Sequence, residues 1–282
     1  MSERTTAVTA KRLRGLTVHG VLTLAVLVSV FPFFWTVVMA TNTTHDIYRD
    51  PPRLTFGSQL LVNIRHVLDN VDFFGSMGNT FLVATGTTVL VLFFDSLAAF
   101  AFAKYQFPGR RALFGLLLLT FMLPMQLALI PEFEIMVKLG WVGDLRALVI
   151  PSAANAFGIF WLRQYISGAV PDELLDAARL DGCGFFRQYR YVALPIIKPG
   201  MAFLGIYTFV GAWNDYIWPL VVLVNPEHVT LQVALAQLNT AHSTDYSMVM
   251  AGALLALVPV VTVFALFARN FMSGAIDGAV RG

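Results

Sequence analysis

Asp176-Ala177-Ala178-Arg179-Leu180-Asp181-Gly182, with Leu194-Pro195 further on, bring charge, small side chains and a helix break together in one polar stretch of a very apolar chain. Residues 163–198 hold five cationic and four acidic side chains, so the stretch is solvated. The chemistry on offer is recognition rather than catalysis. A carboxylate at Asp176 can meet a partner's cation, and small side chains at Ala177 and Ala178 let a partner approach closely. Pro171 suits a first helical turn, and Asp172 and Glu173 favour the positive end of a helix dipole. Leu174, Ala177, Ala178 and Asp181 are then expected on one face. Gly182 can turn left-handed and end that helix. Phe185, Phe186 and Tyr189 give the next turn an aromatic face, and Pro195 and Pro199 mark the return to apolar sequence. A charged connector hugging a membrane fits the same residues.

A second polar group lies inside an apolar block at Trp213-Asn214-Asp215. Ionisable groups at membrane depth are costly and face the bundle or a water-filled path. Three readings stay open. Asn214 and Asp215 bond neighbouring helices, they line a substrate path with Trp213 as a stacking platform, or they carry a proton. Asp95 sits in another apolar block, where a structural hydrogen bond competes with a transport role. The five histidines are scattered without ligand spacing, so no metal site is expected. There is no phosphate loop of the GxxxxGK[ST] type. The single Cys183 excludes an internal disulfide.

The elements that must position these groups are membrane spans. The chain is 57% hydrophobic and 13% charged, and its mean hydropathy is +0.70. Soluble domains carry about 25% charged residues. Six apolar blocks, roughly 16–40, 79–103, 112–130, 145–162, 200–224 and 248–268, approach or exceed the length that crosses a bilayer core. Backbone groups in lipid must bond internally, so the expected fold is all-α and polytopic, with six transmembrane helices. Lys and Arg then divide 14 to 5, the minority being Arg49, Arg53, Arg65, Lys138 and Arg146. The positive-inside rule puts both termini and the Asp176 stretch in the cytoplasm. The first block is longer than the roughly 7–15 apolar residues of a signal peptide, which argues against cleavage. In the loop before the second span, Leu60, Leu61, Ile64, Val67, Leu68 and Val71 recur at helical spacing and predict a short amphipathic helix. One membrane domain, 16–269, is expected between a cytoplasmic N-terminus, 1–15, and a cytoplasmic tail, 270–282.

The polar stretch 163–198 resembles the EAA loop of importer-type ABC transporter permeases. Ala177-Ala178, Asp181-Gly182 and Ala193-Leu194-Pro195 match that motif, while Asp176 stands for its Glu and Cys183 for a small residue. The likeness extends along the chain, to the carbohydrate-uptake permeases of the maltose and glycerol-phosphate type, and to their smaller permease subunit. It is carried by Leu97–Lys104 with Phe107-Pro108-Gly109-Arg110, by Ile150-Pro151 and Phe157–Gln164, by Gly211–Tyr216 with Pro219-Leu220, and by Gly274, Gly278-Ala279-Val280 and Arg281-Gly282. The resemblance implies a non-enzymatic subunit of a bacterial ABC importer in the cytoplasmic membrane. Its partners would be a second permease, two ATPases that bind ATP and Mg, and an extracytoplasmic solute-binding protein. A carbohydrate would be the cargo, no cofactor would be bound by this chain, and no nucleic acid is involved. The competing class is an ion-coupled secondary transporter using Asp95 and Asp215.

Overall fold

A computed structural model describes the backbone of residues 2–239 and 245–279, and the side chains of residues 15, 17–124, 126–239 and 245–266. Among the described residues every regular element is helical. In chain order these are α1 (Ser2–Thr41), α2 (Thr44–Ile47), α3 (Leu60–Asn70), α4 (Phe73–Lys104), α5 (Arg110–Met122), α6 (Leu129–Leu139) and α7 (Arg146–Val149). They continue with α8 (Ala156–Ala169), α9 (Asp172–Leu180), α10 (Phe185–Gln188), α11 (Leu194–Asn214), α12 (Ile217–Val222), α13 (Leu231–Ala236) and α14 (Tyr246–Ala279).

The all-α polytopic class holds, and the six apolar blocks fold as helices of unequal length, three of them continuous and three interrupted. Among the described residues, four helical stretches are long and apolar enough to cross a membrane: Thr17–Thr41, Phe73–Lys104, Phe185–Asn214 and Tyr246–Leu266. A fifth arises if Arg110–Met122 and Gln126–Leu139, bent by 92°, form one broken span. Proline explains two of the breaks. Pro124 disfavours helical backbone at Leu123, which is extended with ψ 131°, and the expected third span stops there. The expected fourth span is interrupted at Ala154 and Asn155, both extended, and its helix is α8, displaced towards the C-terminus. At 14 residues α8 is about 21 Å long, short of the ~30 Å hydrocarbon core. The expected fifth span breaks at Asp215, because Pro219 cannot donate to the Asp215 carbonyl and sits instead in the first turn of α12. The expected tail from residue 270 prolongs α14 as helix to Ala279, and residues 280–282 lie outside the described residues.

The chain divides into two compact parts, one holding residues up to Val71 with 238–255, the other running from Asp72 to Gln237 and from Ala256 onward. In the first part the amphipathic helix predicted at 60–71 forms as α3. Its buried residues are Asn63 and Val67, while Leu61 and Leu68 are exposed. Asn63 determines the docking: its Nδ2 donates to the carbonyls of Ala40 (2.8 Å) and Asn42 (2.9 Å). Asp245 caps the start of α14. Its Oδ1 accepts from Thr44 Oγ1 and Ser247 Oγ, each at 2.5 Å, and from the N–H groups of Ser247 and Met248. Burial pushes the Asp245 carboxyl up, but the hydrogen bonds from Ser247, Thr44 and Met248 outweigh it and hold the group below its ordinary value.

The second part is built on α4, α8 and α11. Val91, Ala99 and Phe100 of α4 share a buried core with Leu162 and Ile166 of α8 and with Ile197 and Leu204 of α11. Leu175 and Tyr189, from the polar stretch, complete that core. A smaller core joins Val83, Met136, Leu148, Trp218 and Val222, and Trp218 Nε1 donates to the Ala147 carbonyl at 3.0 Å.

Candidate functional site

The stretch 172–195 folds as a helix, a glycine break and a second helix. α9 ends in a Schellman arrangement: Cys183 N–H bonds the Ala178 carbonyl (2.8 Å) and Gly182 N–H that of Arg179 (3.0 Å). Gly182 has φ +76°, so a side chain there strains a left-handed backbone by about 1 kcal/mol or more. A Cβ at Gly182 would meet no other side chain or backbone within 4 Å among the described residues.

The expectation that Leu174, Ala177, Ala178 and Asp181 share one outward face is corrected by burial. Leu175 and Ala178 point inward and are nearly inaccessible. Leu174, Asp176, Ala177, Leu180 and Asp181 point outward, and Leu180 is 90% exposed. Phe186, 71% exposed, adds an aromatic ring from α10. Leu180 and Phe186 are thus large apolar side chains left open on a polar segment. Asp176 pairs with Arg179 at 2.7 Å, both side chains being about half exposed. Such a surface pair contributes at most about 1 kcal/mol and is readily exchanged for a partner's contact.

Leu194 and Pro195 do not lie on this face as a separate re-entry point. The chain runs helically from Phe185 to Asn214 through one π turn, Tyr189–Ala193. Pro195 has no N–H for the Tyr191 carbonyl, and its ring would crowd that oxygen in a regular helix. The wider turn resolves this, with Leu194 N–H bonding the Tyr189 carbonyl instead.

The loop is anchored to the end of α4 by residues that sequence spacing did not single out as a site. Lys104 Nζ donates to Asp172 at 2.8 Å, the amine side chain being 6% exposed and the carboxylate 77%. Tyr105 Oη donates to Gln188 Oε1 (2.8 Å), and Gln188 Nε2 donates to the Cys183 carbonyl (2.6 Å). Ser96 Oγ and Tyr189 Oη are 2.6 Å apart. The rings of Phe100, Tyr105 and Phe185 pack mutually at 5.1–5.6 Å. Lys104 and the phenylalanines were legible as motif residues, but their convergence required the fold.

The second group separates in space. Trp213 is not a free stacking platform: it is 1% exposed and stacks on Phe209 with centroids 5.7 Å apart. Asn214 is exposed, donates to the Val210 carbonyl (2.9 Å) and accepts from Gln232 Nε2 (3.3 Å). The Asp215 carboxylate is ringed by the N–H groups of Trp218, Tyr216 and Ile217 at the start of α12. It lies near enough to Glu132 of α6 for the two charges to interact. Asp95 is fully buried, and its Oδ1 accepts the Asn155 N–H at 3.1 Å. The structural reading of Asp95 therefore has a concrete partner. No cluster of metal-ligating side chains occurs among the described residues.

Residues 95–274 match the family described as the binding-protein-dependent transport system inner membrane component. The chain belongs to this family. The permease is 35% identical to the lactose transport system permease protein LacG of Rhizobium radiobacter, covering 96% of this chain and 98% of that one. It is 32% identical to the arabinooligosaccharides transport system permease protein AraQ of Halalkalibacterium halodurans, over 90% of this chain and 92% of that one. It is 33% identical to the sn-glycerol-3-phosphate transport system permease protein UgpE of Salmonella typhi, over 94% and 97%. A crystal structure of a bacterial ABC transporter involved in the import of the acidic polysaccharide alginate has the same fold. The TM-score is 0.79 at 23% identity, over 93% of this chain and 98% of that one. The permease is thus a multi-pass transport subunit of the cytoplasmic membrane. The ion-coupled alternative built on Asp95 and Asp215 finds no support in these relatives.

Proposed function

We propose that the permease is one of two membrane subunits of an ATP-driven importer of carbohydrate, coupled through residues 172–195 to an ATPase carried on separate chains. The observation that carries this reading is the two-sided build of that loop. One side, with Leu175, Ala178, Gln188 and Tyr189, is buried or bonded into the chain's own core. The other presents Asp176, Ala177, Leu180, Asp181 and Phe186 to a partner. An element held firmly from behind and open in front transmits displacement. The ATPase states must then contact it differently, since a partner that binds both conformations equally shifts nothing.

The remaining partners would be a second permease, two ATPases holding ATP and Mg, and an extracytoplasmic solute-binding protein, a set that family membership supports in general. Both termini and the loop would face the cytoplasm. The names of relatives for lactose and arabinooligosaccharides support a carbohydrate cargo. Asn214 and Asp215, with Gln232 and Glu132 nearby, supply amide and carboxylate groups that suit sugar hydroxyls. The test is uptake of radiolabelled lactose and arabinooligosaccharides into proteoliposomes carrying the assembled transporter. Uptake of one of them that needs internal ATP and survives collapse of ion gradients is expected. Uptake that needs a gradient and ignores ATP contradicts the reading.

A further inference from the structure

Asp95 and Ser96 are consecutive residues of α4, and both are completely buried. They serve different neighbours. Ser96 Oγ meets Tyr189 Oη at 2.6 Å, in the π turn within the coupling loop. Asp95 Oδ1 accepts the backbone N–H of Asn155, the residue at which the chain leaves its extended break and enters α8. Asn155 Oδ1 in turn accepts the Gly158 N–H at 2.8 Å and caps that helix. The second carboxylate oxygen, Asp95 Oδ2, is buried without a hydrogen-bond partner among the described residues and lies where a Cβ on Gly158 would stand.

Non-helical backbone at membrane depth persists only where protein buries it or it lines a cavity. The break at Ala154 and Asn155 does border an open groove of about 320 Å³, shared with Leu113, Leu116, Leu117 and Thr120 of α5. This break therefore combines an exposed side, where α5 and α8 part, with an anchored side, where Asp95 holds its N–H. We propose that Asp95 and Ser96 are positioning residues that join the coupling loop to the break in α8, so that displacement of Tyr189 moves α4 and resets the opening between α5 and α8. This rests on the ATPase-coupled reading above. The two neighbouring side chains leave α4 in different directions, so one rigid helix reaches both the π turn and the break. A carboxylate suits the task because it accepts from a helix N-terminus, where negative charge is favoured.

The experiment uses the whole transporter, with partner permease and ATPase, in a Cys183→Ser background. Spin labels at Leu116→Cys and Ala156→Cys span the groove, and their separation is measured with and without ATP plus orthovanadate. The wild-type pair is expected to change separation on trapping. Tyr189→Phe removes one hydroxyl, and Asp95→Asn keeps an acceptor of similar shape, so both should assemble. Each is expected to cut the trapped population at least about fivefold while ATPase still co-purifies. The double variant should do no worse than the stronger single, because both act in one series of contacts. Melting temperature is read alongside. Variants that melt lower yet keep the wild-type trapped population overturn the proposal, as does a wild-type pair indifferent to ATP. Failure of the wild-type permease to retain the ATPase would instead overturn the coupling reading itself.

Discussion

Single residues show where side-chain type alone decides the structure. Gly158 is the clearest: any Cβ would occupy the place of Asp95 Oδ2. Gly158→Ala is expected to push α4 from α8 and lower the permease's thermal stability by about 1–3 kcal/mol, the usual cost of overpacking. A melting curve of the purified assembly checks this, and an unchanged midpoint would show that Asp95 yields freely. Asp245 gives a pH-dependent case. Its folded-state pKa lies below the unfolded value near 3.9, so its contribution is fully present above that value and is lost as pH falls through the folded pKa. Asp245→Ala also removes a helix cap and should cost about 1 kcal/mol at pH 7. The gap between wild type and variant should hold from pH 7 to 5 and narrow only below about pH 4. A gap that closes near pH 6 would point to another group. Neither residue's partner was legible in sequence. Asp95 and Asp245 stand 60 and 201 positions from Asn155 and Thr44.

Among the elements, helix existence was readable from apolar blocks, and helix limits were not. Blocks 16–40, 79–103 and 248–268 became continuous helices because nothing in them forbids it strongly enough; Pro32 and Pro259 are carried within α1 and α14. Hydropathy does not register backbone donors, so it ran the third, fourth and fifth blocks through Pro124, the Ala154–Asn155 break and Asp215. The turn at Gly182 in the polar loop was read well, because a left-handed glycine is local chemistry. The loop was read less well at Ala177 and Ala178, whose separation between outside and inside depends on α9 lying against the core. Pro195 shapes its helix through the π turn. Pro195→Ala offers the Tyr191 carbonyl a donor and should draw residues 189–193 into regular helix, disturbing the Ser96–Tyr189 and Tyr105–Gln188 bonds. Its melting temperature is expected to stay level or rise while ATP-driven uptake drops about fivefold or more. Uptake at the wild-type rate would show that the wide turn has no mechanical role.

At the scale of the whole molecule, the sequence held the identity in the order of several weak motifs, and the match across residues 95–274 joins them. The site was half legible. The polar loop 172–195 could be located because charged residues are few in so apolar a chain. The surroundings of Asp215 could not, because Trp213 turns into the protein and Glu132 and Gln232 arrive from distant elements. In the proposed importer, residues 172–195 would grip a separate ATPase through the face of Asp176, Ala177, Leu180 and Phe186. The most direct measurement of that grip is the amount of ATPase that co-purifies with tagged permease, read for wild type, Asp176→Lys, Asp176→Glu and Gly182→Val at equal membrane insertion. Asp176→Glu should retain ATPase near the wild-type level, whereas Asp176→Lys and Gly182→Val should each lose about tenfold or more, since 1.4 kcal/mol of lost contact is tenfold in affinity. Wild-type retention by both damaging variants would contradict the account and leave the loop a connector.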